Sequence, residues 1–255
     1  MAAISYKFDE SFDGKPNPRT LVVGGWIAED EQWEILSSAI ADSLAFENLS
    51  LPQGREISRY HAAEMNARSG EFDEQRSIRM TEKMFDAVSN ERMSAISCGI
   101  DLHAFEDLWP GSGIPNAYAL CVKHLMVEIG ASMREYRPDD RVILFHDQDR
   151  NLNAYATSAF SEMINDPGWI DADRFVLIAP VRWQDDAGLQ ACDMIAYETY
   201  KLVNKELAMG QSPVELRKPL AILLGMNKRI NWMYSDRTSL TKLKEIQGDN
   251  NGTLV

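Results

Sequence analysis

Cysteine is scarce in this sequence, and Cys98, Cys121 and Cys192 stand far apart. An odd, scattered set excludes a disulfide framework and a paired-cysteine metal centre, and reads as buried thiols of a reducing compartment. No apolar run approaches the roughly 20 residues that span a bilayer. The opening residues, Met1 to Glu10, lack the charged and apolar regions of an export leader, so a cytoplasmic protein is expected. No glycine-rich loop runs into Lys-Ser or Lys-Thr, which excludes a P-loop. Serine and cysteine nucleophile signatures are missing. His61-x-x-Glu64 lacks the second histidine of a zinc-protease helix. Gly24-Gly25 sits inside a strand pattern, which marks close backbone packing rather than a phosphate cradle.

Positive charge is also short. The formal net charge is −13, which argues against nucleic-acid binding over the whole surface. Lys201 to Lys244 depart from this, with nine basic against three acidic residues, so the rest of the chain carries −19. That segment reads either as a phosphate-facing stripe, including Lys218, Lys228 and Arg229, or as the solvated faces of surface helices. The 45% hydrophobic content supplies an ordinary core, and 255 residues suit one α/β domain.

The pattern predicts strands at 3–9 and 21–28 joined by the turn Asp13-Gly-Lys-Pro-Asn-Pro18, then a helix at 31–47. Residues 55–62 read as extended or irregular. A helix is expected at 73–88, a strand at 94–102, a helix at 116–136, a buried strand at 142–145 and a helix at 151–164. Another buried strand is expected at 175–179, followed by helices at 187–208 and within 213–233. The order implies a mixed sheet with helices on both faces. A single domain over 1–246 is expected, with a helical insertion at about 31–90, a helical C-terminal extension at about 210–246 and a flexible tail at 247–255.

Against this background the acids stand out. Asp9 follows Tyr6-Lys7-Phe8, and Asp147 follows Val142-Ile-Leu-Phe-His146. Asp193 lies inside Leu189-Gln-Ala-Cys-Asp-Met-Ile-Ala196. An ionised carboxylate beside apolar neighbours is costly unless a cation or hydrogen bonds compensate it. Acids at strand ends lie where α/β sheets gather their ligands. Mg²⁺ and Mn²⁺ prefer such oxygens, and two ions about 3.5–4 Å apart stabilise both oxygens of a phosphodiester displacement. The plainer readings are that Asp9 and Asp147 start turns, with Asp149 or Asn151 capping the next helix, and that Asp193 faces solvent.

Phe8-Asp-Glu-Ser11, Tyr60-His-Ala-Ala-Glu64, Phe145-His-Asp147 and the Leu189–Ala196 run occur in an order that resembles the "domain of unknown function 3800" family. The resemblance spans roughly residues 3–205. It implies a ribonuclease-H-like core with acids on strand one, strand four and the final core helix, at Asp9, Asp147 and Asp193. Phe12 stands where many relatives have Gly, and Cys192 replaces the usual Ala. For a fourth acid, Glu64 is preferred and Glu10 second, because strand alternation sends Glu10 away from Asp9. Glu128 and Glu135 are offered by the helix after strand three. His61 reads as a general base, as an oriented donor behind the acids, or as a packed loop histidine.

The function expected is a Mg²⁺- or Mn²⁺-dependent nuclease, with Arg55, Arg59 and Arg68 helping to hold a nucleic-acid backbone. Trp183 and Trp232 read as base-stacking surfaces or as core anchors. The alternative is an inactive ribonuclease-H-like binding or regulatory module.

Overall fold

In the computed structural model, the residues described are 3–13, 17–68, 70–90, 93–149, 151–209, 216–217, 219–221 and 230–248. Lys218, Lys228, Arg229 and residues 249–255 lie outside them. The elements in order are β1 (Ala3–Phe12), β2 (Thr20–Glu29), α1 (Asp30–Asn48), α2 (Ala62–Ala67), α3 (Glu74–Asn90) and β3 (Ser94–Asp101). There follow α4 (Leu102–Leu108), α5 (Gly113–Tyr136), β4 (Arg141–Asp147), α6 (Asn153–Ile164), β5 (Phe175–Val181), α7 (Ala187–Met209), β6 (Ile230–Ser235) and α8 (Arg237–Gly248). The chain is an α/β protein with one six-stranded mixed sheet, ordered β5-β4-β1-β2-β3-β6. β1, β2 and β3 form an antiparallel meander, β4 runs parallel to β1, β5 parallel to β4, and β6 parallel to β3.

Alternation along β1 splits the core in two. Ile4, Tyr6 and Phe8 join an apolar cluster with α4, α5, α6 and α8 on one face. The other face packs Trp26 and Ala28 against α1, α2, α3 and α7. The Tyr6 hydroxyl, fully buried, donates to Ile96 O at 2.7 Å, and Trp26 Nε1 donates to Ala191 O at 3.1 Å. The second bond pins α7 to the sheet. Asp186 fixes where α7 begins, because its Oδ1 accepts from Leu189 N at 2.9 Å as an N-terminal cap. Its Oδ2 ion-pairs with Lys7 of β1 at 2.7 Å. Two turns later the same helix carries Asp193.

The paired glycines act as spacers, as expected from the strand pattern. A Cβ on Gly24 would stand 2.5 Å from Ser97 Oγ and 3.2 Å from Ala196 Cα, and one on Gly25 would meet Lys7 O at 1.8 Å. Gly24 therefore lets α7 lie close against β2.

Three expectations are corrected. Residues 230–233, assigned to a helix, belong to β6, because the Ile-Asn-Trp-Met-Tyr-Ser run pairs with the free edge of β3. β5 is not buried: it is the last strand of the sheet, Val176 is 51% exposed, and Pro180 is tolerated there because an edge strand has one neighbour. Two short helices, α2 and α4, arise where no helix was expected. No helix among the described residues is long and apolar enough to cross a membrane.

Candidate metal centre

The β1–β4 ladder ends at Phe8–His146, whereas β1 continues beside β2 to Phe12–Leu21. Beyond Phe8, one side of β1 therefore has no strand against it. Acids from both faces of the sheet meet in this notch. Asp9, Glu10 and Asp147 each bring a carboxylate oxygen within 4.8 Å of the other two. Asp193 lies beside this trio, close enough to raise the proton affinity of Asp9 and Glu10. The three expected core acids are thus brought together. Glu10, the second choice for a fourth, is the one inside the trio.

The carboxylates are held chiefly by backbone N–H groups. Asp9 Oδ1 accepts from Glu10 N at 2.8 Å. Asp147 Oδ1 accepts from Gln148 N at 2.7 Å and from Trp183 N at 3.2 Å. Asp193 Oδ2 accepts from Ala62 N at 2.7 Å, at the start of α2. One turn earlier on α7, Gln190 Oε1 accepts from Tyr60 N at 2.8 Å. Gln190 and Asp193 share a helix face by their spacing, and that face clips the irregular segment 57–62 against the site.

Electrostatically the site is strained toward protonation. Burial, then Glu10, Asp193 and Asp147, push Asp9 well above the usual carboxylate range. Burial, then Asp147 and Asp149, push Glu10 up to about 8. Burial raises Asp147 and Asp193 too, partly offset by their backbone donors and, at Asp193, by His61. Among the described residues no lysine or arginine ion-pairs with Asp9, Glu10, Asp147 or Asp193; the nearby Lys7 is committed to Asp186. An all-oxygen donor set with no basic counter-charge fits a hard divalent cation. The chemistry of the set does not separate Mg²⁺ from Mn²⁺.

The remaining candidates fall around this centre. Glu64 Oε1 lies 3.4 Å from Arg59 Nη2 and 3.3 Å from His61 Nδ1, beside Asp193 and outside the trio. His61 precedes α2, and its ring stacks on Trp183 with centroids 5.3 Å apart. Glu128 and Glu135 sit far along the strands instead. Both line a groove with Ile4 and Glu29, at the opposite end of β1 and β2, where Glu128 accepts from Asn231 Nδ2 at 2.9 Å. Asp149 does not cap α6, whose N-terminus has no side-chain cap among the described residues; its Oδ1 accepts from Asn151 N at 2.6 Å in the turn before the helix.

The departures from the family pattern leave the carboxylates in place. Cys192 is buried and donates its S–H to Lys7 O at 2.9 Å, while Phe12 ends β1 partly exposed. Of the arginines singled out in the sequence, Arg55 pairs with Glu71 and Arg68 with Glu74, whereas Arg59 reaches the Trp183 ring beside the acids. In the basic C-terminal segment Arg217 pairs with Glu198 and Arg237 with Asp107.

Two residues of the site were not singled out as site residues in the sequence, although His146 lies within the quoted Phe145-His-Asp147 segment. Tyr118 of α5 is fully buried, its hydroxyl has no hydrogen-bond partner among the described residues, and burial, then Glu10, Asp9 and Asp147, raise its proton affinity. It comes from the helix that offered Glu128 and Glu135. His146 is buried under the trio, stacks on Phe8, and contacts Asp147 O through Nδ1 at 2.8 Å. A carbonyl only accepts, so Nδ1 carries the proton. Burial lowers the ring's proton affinity and keeps it neutral. The sequence matches no protein-family model and none of the curated proteins compared with it.

Proposed function

We propose that this protein is a Mg²⁺- or Mn²⁺-dependent phosphodiesterase that hydrolyses nucleic acid on a ribonuclease-H-like fold. One observation carries the reading: acids from three separate elements, Asp9 and Glu10 on β1, Asp147 at the end of β4 and Asp193 on α7, converge in a notch among the described residues without a basic partner. Strand one, strand four and the last core helix are the positions that the resemblance to the domain of unknown function 3800 family assigns to acids. The meander followed by two parallel strands supports the same fold.

Asp9, Glu10, Asp147 and Asp193 would hold the cation or cations, which when bound neutralise a phosphodiester's charge and polarise its phosphoryl oxygen. The chain's own part is preorganisation. Gln148 N and Trp183 N orient Asp147, Ala62 N orients Asp193, and neutral His146 supports the Asp147 backbone from below. His61 stands on the rim with its ring fixed on Trp183, placed to hand a proton to a departing oxygen or to orient the strand.

The test is cleavage of single- and double-stranded DNA and RNA oligonucleotides by purified protein with Mg²⁺ or Mn²⁺. Cleavage that Asp9→Asn abolishes is expected. The reading fails if no nucleic acid is cut while Asp9→Asn leaves Mn²⁺ binding unchanged. The helix that offered Glu128 and Glu135 brings Tyr118 rather than an acid to the notch, which favours the binding-module alternative. That alternative predicts a salt-sensitive complex with no product over hours.

A further inference from the structure

We propose that Arg59, His61 and Trp183 form a phosphate subsite on the rim of the acid notch, which takes a non-scissile phosphate of a nucleic-acid strand. The inference rests on the phosphodiesterase reading and narrows its substrate to a strand with consecutive phosphates.

The three side chains come from two segments, and each segment is tied to a site acid. Trp183 N donates to Asp147 Oδ1, and Ala62 N, next to His61, donates to Asp193 Oδ2. Gln190 holds Tyr60 N, next to Arg59. The wall and the acids therefore move as one unit. The Arg59 guanidinium lies 4.5 Å from the Trp183 ring centroid, and the His61 ring stacks on the same indole at 5.3 Å. All three side chains are partly exposed, so the wall faces solvent at the notch.

Charge gives this placement its meaning. A polyanion approaching four carboxylates is repelled, and a cation bound among them relieves that repulsion only at the scissile phosphate. The neighbouring phosphates of a strand need separate donors. Arg59 supplies them: its partly exposed guanidinium carries five N–H groups, and Nη2 makes the long 3.4 Å contact to Glu64. Stacking on the indole fixes the guanidinium plane, and a planar fork is the geometry that grips a phosphate. Were Arg59 present only to balance Glu64, stacking it on a tryptophan bonded to a site acid would have no purpose.

The experiment measures binding of a fluorescein-labelled single-stranded DNA of about a dozen nucleotides by anisotropy, across a KCl series at one fixed Ca²⁺ concentration. Wild type, Arg59→Gln and Arg59→Lys are compared, each checked for the wild-type unfolding midpoint. Arg59→Gln is expected to weaken binding about tenfold and to reduce the slope of log K against log salt by about 0.7, one phosphate contact on a single strand. Arg59→Lys keeps the slope and binds with intermediate affinity. An unchanged slope and affinity in Arg59→Gln, or wild type that does not bind in a salt-dependent way, overturns the subsite.

Hydrolysis of bis(4-nitrophenyl) phosphate with Mn²⁺, run in parallel on wild type, separates the two claims. Hydrolysis of this small diester without strand binding removes the subsite and leaves the phosphodiesterase. Salt-dependent strand binding that needs Arg59, with neither the small diester nor the bound strand cut, leaves the subsite and removes the phosphodiesterase.

Discussion

Glu10→Gln tests whether the acid notch works against the fold when no cation fills it. Burial and neighbouring acids push Glu10 up to about 8, against an ordinary value of 4.5. Between these two values the folded chain keeps a proton that the unfolded chain has released, so stability falls as pH rises through that window. At about 1.4 kcal/mol for each tenfold change in proton affinity, the loss has a ceiling of about 5 kcal/mol. Asp9 and Asp147 accept some of the same protons, so roughly half of that is expected from Glu10 alone.

The assay is urea unfolding in EDTA at about pH 5.5 and about pH 8.5. About 3 kcal/mol of that ceiling falls inside this interval, so wild type should lose about 1–2 kcal/mol more than Glu10→Gln across it. His146, held neutral by burial, and Cys98, lowered to about 6, act in the opposite direction. Both are present in each protein and cancel in the difference. Mn²⁺ at the higher pH should restore wild type more than the variant. Equal losses in the two proteins, or a wild type that gains stability with pH relative to Glu10→Gln, would refute the reasoning.

Gly24→Ala should lower stability by about 1–3 kcal/mol, because the serine hydroxyl can rotate away but the Ala196 backbone cannot. The same change pushes back the helix that carries Asp193, so Mn²⁺ affinity measured calorimetrically should fall with the thermal midpoint. Tyr118→Phe removes an enclosed hydroxyl that has no partner among the described residues and should leave stability unchanged or raise it by about 1 kcal/mol; a loss beyond about 2 kcal/mol in urea unfolding would show that the hydroxyl is bonded. Gln190→Ala leaves Tyr60 N without its acceptor, at a cost of about 1–3 kcal/mol. Amide exchange across residues 57–62 should accelerate while exchange in the central strands is unaffected.

Local pattern carried the expectation for Asp9 and Asp147, since each ends an apolar run and a strand end is a local property. Asp193 was legible for a similar reason, with Leu189, Ile195 and Ala196 around it on an apolar helix. Glu10 was not. Alternation along β1 assigns it to the opposite face from Asp9, and only the early end of the β4 ladder lets the two carboxylates meet. Where a neighbouring strand stops is a long-range fact. β6 and the exposure of β5 failed in the same way, because both depend on which strand edge is free. Tyr118 and His146 look like ordinary core residues in sequence, and their importance comes from what folding places above them.

The most direct test of the central claim is a crystal soaked in Mn²⁺ and measured for anomalous scattering. A peak within coordination distance of Asp9, Glu10 and Asp147, with Asp193 at its edge, is the result expected, and Asp9→Asn crystals should lack it. A wild-type notch without a peak at millimolar Mn²⁺, or a peak that persists in Asp9→Asn, would contradict the account.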